Sequence, residues 1–362
     1  MNPKKRVDYN IYSIKKGDTI ENIALRLGQE VQQVRNFHNI YAKQEELISL
    51  DFPIELNHLY TTPEFSEKKI DNIPKVNFIY DSKIDINPSK KKLLYNVNNE
   101  ITIGKEVMIL NYQMGVQFVE KIQNQFLFEI SKQSPFEEVD NFSMMQELDS
   151  KILDAIYPLQ VYVNNLGFCT GIANFEVVEQ RFKLVKKNIL DEFEGQNAID
   201  NINFYQTCFN NESEFKKILD NDIFINSYFA GIYENYNGTY DYFTKGYFYE
   251  KNIGFPILMN IKPTDYKTQN YIEPYLNDDN LVTIERMGIL NDNRALLDFE
   301  IKSNVPYYAS FEKSNQKAEG NLTAIYTLDS ITHTITTAKV QCTIELYQER
   351  KIKCEIQLVS NV

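Results

Sequence analysis

The first sixty residues carry apolar patterns of two different periods. Alternation around Tyr12–Ile14 predicts a short strand. Apolar residues every three or four positions from Ile20 to Leu27 predict a helix that Gly28 ends, and a similar pattern predicts a second helix over residues 30–37. A closing strand then completes the order strand, helix, helix, strand; its apolar residues are Ile48, Leu50, Ile54 and Leu56.

Residues 59–89 are predicted to form a linker. Three prolines interrupt this stretch, which is rich in Lys and Asp and has little periodicity. The chain is therefore expected to consist of a module over residues 9–58, this linker, and a larger domain over residues 90–362.

Strand patterns enclose helical patterns in the larger domain. Runs rich in Val, Ile, Phe and Tyr predict an antiparallel meander, helical patterns occupy about residues 142–230, and strands then return. This order is typical of an α+β domain, here with an antiparallel curved sheet. The predicted strands are Leu93–Val97, Ile101–Leu110, Met114–Lys121, Gln125–Ser131, the hairpin Leu159–Val163 with Phe168–Ile172, Val282–Met287, Arg294–Lys302, Val305–Phe311, Leu322–Leu328, Thr334–Leu346 and Lys351–Val359.

One helical pattern is especially regular. Asn174 is expected to cap an amphipathic helix whose apolar stripe runs from Phe175 to Ile189 and which Gly195 ends. Further helices are predicted over residues 142–156, 199–209 and 212–219.

Two cysteines fall on the buried face of the last predicted strand pair. Cys342 and Cys354 lie in alternating runs, so both are expected beneath the sheet as free thiols, because directly paired strand positions disfavour a disulfide. The four cysteines form no CxxC pair, and neither a zinc site nor a redox motif is predicted.

The stretch YSIKKGDTIENIALRLG, followed by VQQVRNFHN and IELN, resembles the LysM family. The resemblance covers only the N-terminal module. It implies binding of N-acetylglucosamine-containing glycans such as peptidoglycan or chitin, in a groove between the turn into the first helix and the loop before the last strand. A plain turn and helix cap is the alternative role of the GDT residues. The implied groove residues are Gly17, Asp18, Thr19, Ile20, Ser49, Leu50 and Asp51.

Charge and hydropathy narrow the partners. The formal net charge is −12, which argues against nucleic acid and against anionic membrane surfaces. No apolar stretch approaches the roughly 18 residues of a membrane helix, so membrane insertion is not expected. The basic start of the chain is not followed by an apolar run, which indicates a cytoplasmic protein or one exported by a non-Sec machine.

The sequence offers no catalytic pattern. The three histidines form neither HxxxH nor HxH, no phosphate-binding glycine loop is present, and paired carboxylates are too common in an acidic chain to nominate an acid and a base. A protein without catalytic residues, metal or cofactor is therefore predicted. The hypothesis of an enzyme with unrecognised chemistry stays open and predicts a deep polar cleft with shifted carboxylates.

A tyrosine-rich stretch follows the helical segment. Tyrosine combines contact area with a polar group, which favours interfaces and sugar stacking. One hypothesis makes this stretch a partner surface; the other packs it on the sheet. The residues nominated for the surface are Tyr233, Tyr236, Tyr240 and Tyr242.

Two binding functions are compatible with these features. In the first, the module holds a peptidoglycan-type glycan or a protein partner, and the chain is a non-enzymatic binding or adaptor protein. In the second, the chain is a structural or loading component of a contractile injection assembly, type VI-like, that binds no sugar. The second hypothesis is an analogy to LysM-carrying components of such machines.

Overall fold

A computed structural model describes residues 9–15, 18–43, 46–48, 52–53, 56–62, 76, 83–133, 148, 151–152, 155–193, 195–236, 239–241, 246–258, 261–273, 276–307 and 316–361. The chain forms two compact units, Met1–Lys75 and Val76–Val362. Across the described ranges, no helix has both the length and the apolar character needed to cross a membrane.

The small unit has the predicted element order. Strand β1 (Asn10–Ser13) pairs antiparallel with β2 (His58–Thr61), and helices α1 (Ile20–Leu27) and α2 (Val31–Tyr41) lie between them in the chain. Gly28 ends α1 in the left-handed conformation with φ 59°. The apolar stripes of both helices meet the buried side of the strands. The resulting core contains Tyr12, Ile20, Ile23, Ala24, Leu27, Val31, Val34, Ile48 and Leu59.

The predicted position of the closing strand is wrong. Strand β2 begins at His58, whereas Ile48 is a core residue outside any strand and Leu56 packs against the core from a loop. Apolar residues that fill gaps between elements imitate strand alternation in the sequence. Because β2 continues to Thr61, the unit extends past residue 58.

Within the described residues, the large unit forms one antiparallel sheet of twelve strands. The strands are β3 (Leu93–Ile103), β4 (Glu106–Ile122), β5 (Gln125–Gln133), β6 (Leu159–Asn164), β7 (Cys169–Ile172), β8 (Thr239–Asp241), β9 (Gly246–Phe255), β10 (Thr264–Ile272), β11 (Leu281–Leu290), β12 (Glu319–Asp329), β13 (Ile335–Glu345) and β14 (Arg350–Asn361). Their order in the sheet is β7-β6-β5-β4-β3-β14-β13-β12-β11-β10-β9-β8, so every neighbouring pair except β3 with β14 is consecutive in the chain.

Alternating side chains bury one face of this sheet. In β14, for example, Ile352, Cys354 and Ile356 are buried, while Glu355 and Gln357 between and beyond them are exposed. Such alternation is the pattern of an antiparallel sheet with one packed face and one solvated face. The prediction of an α+β domain with a large antiparallel sheet is confirmed.

Helices cover the buried face. The last of the inserted helices lies against the centre of the sheet, where the hydroxyl oxygens of Tyr95 on β3 and Tyr228 are 3.0 Å apart. Two other helices pack against each other through Phe182 and Phe209, whose rings stack with centroids 4.2 Å apart. The helices are α3 (Phe175–Glu192), α4 (Gln196–Phe209), α5 (Glu212–Asp220), α6 (Ile223–Tyr228) and α7 (Leu296–Glu300).

The sheet curls until residues near its opposite edges meet. Lys251 Nζ on β9 lies 5.0 Å from the ring centroid of Phe168, which directly precedes β7. Gly231, with φ +65°, fits between these edges because a Cβ there would lie 2.0 Å from Phe168 Cζ. The segment after α6 forms hydrogen bonds near both edges of the sheet. Tyr233 N–H donates to Leu166 O, in the turn before β7, at 3.1 Å, and Gly231 O accepts from Lys251 Nζ on β9. This segment therefore holds the curled sheet together.

Two strand predictions need correction. The second predicted run of the meander, Ile101–Leu110, is not a single strand. Residues 101–103 complete β3, the hairpin turn lies at Gly104 with φ +59°, and residues 106–110 begin β4. The predicted strand Arg294–Lys302 is wrong, because residues 296–300 form α7. Residues 305–307 of the next predicted strand are not in a strand, and its remainder lies outside the described residues.

The helix capped by Asn174 begins where predicted, but the cap itself is wrong. The side-chain oxygen of Asn174 accepts from Gln160 N at 2.8 Å, and its amide donates to Pro158 O at 3.1 Å. The residue therefore fastens the start of α3 to the start of β6. Most of the helix predicted over residues 142–156 lies outside the described residues.

Cys342 and Cys354 are buried free thiols, as predicted. They are not directly paired but offset by two residues along the strands, because Cys342 pairs with Ile352 and Cys354 pairs with Val340. Burial raises the pKa of each thiol to about 12. Both are therefore protonated at neutral pH and unreactive as nucleophiles.

The end of the predicted linker belongs to the large unit. Ile84 is fully buried, and its N–H donates to Glu234 O at 3.1 Å. The observed division between residues 75 and 76 thus lies earlier than the predicted boundary near residue 90.

Candidate functional site

The turn into α1 is organised by its own side chains. Thr19 is the N-cap residue, and its Oγ1 accepts from Asn22 N at 3.2 Å. The hydroxyl is therefore used inside the helix cap, as the alternative interpretation of the motif predicted. The N–H groups of Ile20 and Glu21, which follow, have no partner within the helix. Ile20 itself is 3% exposed, so its side chain belongs to the core and cannot line a groove.

Asp18 is held from three sides. Its carboxylate accepts from Lys15 N at 2.8 Å, from Arg26 Nη1 at 2.6 Å and from Tyr12 OH at 3.3 Å. Burial alone would raise the pKa of Asp18, but the hydrogen bonds from Lys15 and Arg26 and the charge of Arg26 lower it below its ordinary value. The carboxylate therefore fixes the turn.

The opposite side of the predicted groove is described only at its beginning. Asn39 Nδ2 donates to Ile48 O and Asn39 Oδ1 accepts from Ile48 N, both at 2.9 Å. These two hydrogen bonds between the Asn39 side chain and the Ile48 backbone fix the chain just before the predicted groove residues Ser49, Leu50 and Asp51. Asn39 was not among the predicted site residues, because a polar residue near the end of an amphipathic helix is its only signal in the sequence. Gly17, Ser49, Leu50 and Asp51 lie outside the described residues.

A histidine connects α2 with β2. His38 is fully buried; Nδ1 accepts from Tyr60 N at 3.1 Å, and Nε2 lies 3.0 Å from Glu46 O. Only a neutral ring with the proton on Nε2 satisfies both contacts. Burial lowers the pKa of His38 below its ordinary value, which agrees with this tautomer.

Aromatic rings gather on the same side of the small unit. Tyr9 packs against Tyr60 with ring centroids 4.8 Å apart and against Tyr41 at 5.2 Å. Tyr9 is 44% exposed and Ile11 is 60% exposed, so part of this aromatic face is open. It is distinct from the turn into α1.

The tyrosine-rich stretch of the large unit does not form the predicted partner surface at two of its four positions. Tyr233 is 8% exposed and Tyr236 is fully buried. Their hydroxyls donate to backbone oxygens, Tyr233 to His333 O at 3.0 Å and Tyr236 to Ile232 O at 2.6 Å. These two residues pack on the sheet, so the surface hypothesis is wrong for them. Tyr242 and the side chain of Tyr240 lie outside the described part.

A buried ionic network surrounds the same segment. Lys251 Nζ donates to Glu234 Oε2 at 2.9 Å and also to Gly231 O. Asn270 Nδ2 donates to the other oxygen of Glu234, while Arg286 Nε donates to Asn270 Oδ1 at 2.7 Å. Burial lowers the pKa of Lys251 to about 8. These bonds link the four side chains to one another and to the backbone at Gly231, which makes the network a clamp on the segment after α6.

Within the described ranges, no group of three or more His, Cys, Asp or Glu side chains is placed to hold a metal ion. Comparison of the chain with known protein families and with curated proteins found no match to either.

Proposed function

We propose that this chain is a non-enzymatic binding protein whose small unit recognises an N-acetylglucosamine-containing glycan of the peptidoglycan type at the turn into α1. The observation that carries the proposal is this turn, in which the side chains of Asp18 and Thr19 accept hydrogen bonds that fix the backbone. The proposal depends on the interpretation of the GDT motif as one side of a LysM-type groove.

A rigid turn suits a ligand that carries its own amide. The first-turn N–H groups of Ile20 and Glu21 are donors without a helical partner, and the acetamido group of the sugar offers a carbonyl acceptor. Rigidity lowers the entropy lost on binding, since the groups that contact the ligand are already ordered. Asn39 contributes to this order from the other side of the predicted groove.

The proposal is tested by sedimentation of the full chain with insoluble peptidoglycan. Thr19→Arg fills the turn with a long side chain and is expected to abolish binding. Because it also removes the helix cap, Thr19→Ala serves as a control that loses the same cap without added bulk and keeps most of the binding. Gln32→Arg places an identical charge on an exposed position of α2 and leaves binding unchanged.

Absence of the wild-type protein from the pellet contradicts the glycan proposal. Equal loss of binding in Thr19→Arg and Gln32→Arg would also contradict it, because a general charge effect would then explain the result.

A second candidate is a protein-docking adaptor, as in a contractile injection assembly. The partly open aromatic face of the small unit, with Tyr9 and Ile11, favours it, because exposed aromatic and apolar side chains are enriched at protein interfaces. Under this alternative, Tyr9→Ala weakens assembly with the partner while sugar has no effect.

A further inference from the structure

The outer face of the large sheet carries a row of uncharged polar side chains. One pairing level crosses seven adjacent strands, from β11 through β14 and β3 to β5, and every residue at that level is Thr, Gln or Asn. Six strand spacings give a row of roughly 29 Å. We name this row the amide stripe; its members are Thr283, Thr327, Thr337, Gln357, Asn96, Gln113 and Gln133.

The stripe points away from the core. Its neighbours along the strands, such as Val97 on β3 and Ile356 on β14, are buried, so side-chain alternation turns Asn96 and Gln357 outward. Gln357 is exposed and makes no side-chain hydrogen bond to another residue of the described ranges. Elsewhere the stripe is partly self-bonded: Gln113 Nε2 donates to Asn96 Oδ1 at 2.9 Å.

The asparagines of this outer face oppose strand propensity. Asn is depleted in strands, yet Asn96 and Asn98 stand on the outer face of β3 in the middle of the sheet, where a β-branched residue would be favoured. Violations of local preference that fold stability does not require are expected at functional positions. Asn111 of β4 pairs with Asn98, which extends the amide surface by one level.

A depression of about 260 Å³ lies at this point of the outer face. Asn96, Asn98 and Asn111 line it together with Gln357 and Glu355. Four of these five side chains are amides, each of which offers a donor and an acceptor at once. Hydroxyl groups of a sugar also donate and accept, so a polyol can pair with amides in either direction.

We infer that the amide stripe is a second recognition surface, which binds an extended neutral glycan through its hydroxyl groups. The ligand is neutral because the seven members of the stripe are uncharged, and Glu355 beside them lies 3.9 Å from its own counter-charge, Lys339 Nζ. The chain as a whole has a net charge of −12 and repels acidic polymers. The length of the row suits several consecutive sugar residues. This surface lies in the large unit and is independent of the turn proposed for the small unit.

Calorimetric titration of the full chain with cellohexaose tests the inference, because this neutral probe has hydroxyl groups but no acetamido group. Asn98→Ala and Gln357→Ala are each expected to weaken binding about threefold to tenfold, the loss of one or two net hydrogen bonds. Gln341→Ala is the matched control: Gln341 is also exposed on the outer face, on β13, but lies outside the stripe. It leaves binding unchanged.

Thr19→Arg separates the two proposals, since it alters the small unit alone and leaves binding of cellohexaose intact. The inference is overturned if the wild-type chain shows no binding at millimolar cellohexaose. It is equally overturned if Asn98→Ala and Gln357→Ala bind as tightly as the Gln341→Ala control.

Discussion

Arg26 Nη1 lies 2.6 Å from Asp18 Oδ1 and 2.6 Å from the hydroxyl of Tyr12. The Asp18 side chain is 3% exposed and that of Arg26 is 31% exposed, so the pair closes over the turn from the solvent side. A charge on α1 thereby ties the turn that precedes the helix to strand β1. The conformation at Asp18 and Thr19 depends on this contact as well as on the hydrogen bonds of the turn itself.

Removal of the Asp18 carboxylate is expected to loosen the small unit. Asp18→Ala leaves Lys15 N–H and the Arg26 guanidinium without their acceptor, and lowers the free energy of opening by about 1–3 kcal/mol. Hydrogen exchange of α1 amides measures this opening. Glu21→Ala, which removes a first-turn acid with no such contact, costs less than about 1 kcal/mol. Equal costs for the two variants would refute the role given to Asp18.

The small unit is expected to weaken in mild acid through His38. Its pKa is lowered by burial, so the neutral ring is favoured in the folded state. The associated stability is present above the pKa of unfolded histidine, about 6.5, and is lost as the pH falls towards the lower folded value. The protection factors of α2 amides against hydrogen exchange, which are corrected for the intrinsic pH dependence of exchange, are therefore expected to fall between pH 7 and pH 5.

His38→Gln serves as the test variant for that titration, and His58→Gln as its control. The first is expected to abolish the additional acid dependence; the second preserves it. A titration that survives in His38→Gln would assign the acid sensitivity to another group.

Gly231 is expected to tolerate no side chain. Two effects destabilise Gly231→Ala: the backbone is left-handed, with φ +65°, and the new Cβ would lie 2.0 Å from Phe168 Cζ. Gly104→Ala is matched in backbone, with φ +59°, but meets only ordinary contacts at 3.6 Å or more. The control costs about 1–2 kcal/mol of unfolding free energy and Gly231→Ala clearly more, as urea denaturation measures. Similar costs would show that the sheet edges do not press on this residue.

The buried network is expected to respond sharply to loss of its acid. Glu234→Ala leaves Lys251 as an uncompensated buried charge and destabilises the large unit by about 3–5 kcal/mol. Adding Lys251→Met to this variant removes the orphaned charge and restores part of the loss. Thermal unfolding of the single and double variants measures both effects. A double variant less stable than Glu234→Ala alone would contradict the pairing.

The sequence predicts elements where one period dominates and fails where two compete. Alternation in β13 and β14 gave these strands and their buried cysteines. In the segment that forms α7, alternation of Ala295, Leu297 and Phe299 favoured a strand. The helix forms instead because Asp298 Oδ2 accepts from Ala295 N at 2.8 Å, a local bond that apolar patterns do not register.

Contacts between distant residues set the remaining limits. Glu234 and Asn270 are 36 positions apart, and Tyr233 and His333 are 100 apart, so no local pattern could join them. The buried tyrosines were therefore open to interpretation as a surface. The amide stripe became visible only with the register of seven strands, since its members are spread from residue 96 to residue 357. The turn into α1 was accessible because its partners lie within one short stretch.

The most direct test of the central claim is a nuclear magnetic resonance titration of the ¹⁵N-labelled full chain with chitohexaose. If the small unit recognises this glycan at the turn into α1, backbone amide signals of Thr19, Ile20 and Glu21 shift with a common affinity, and Thr19→Arg abolishes those shifts. Unchanged signals from these residues at saturating chitohexaose would contradict the proposed glycan site and leave the turn with a structural role.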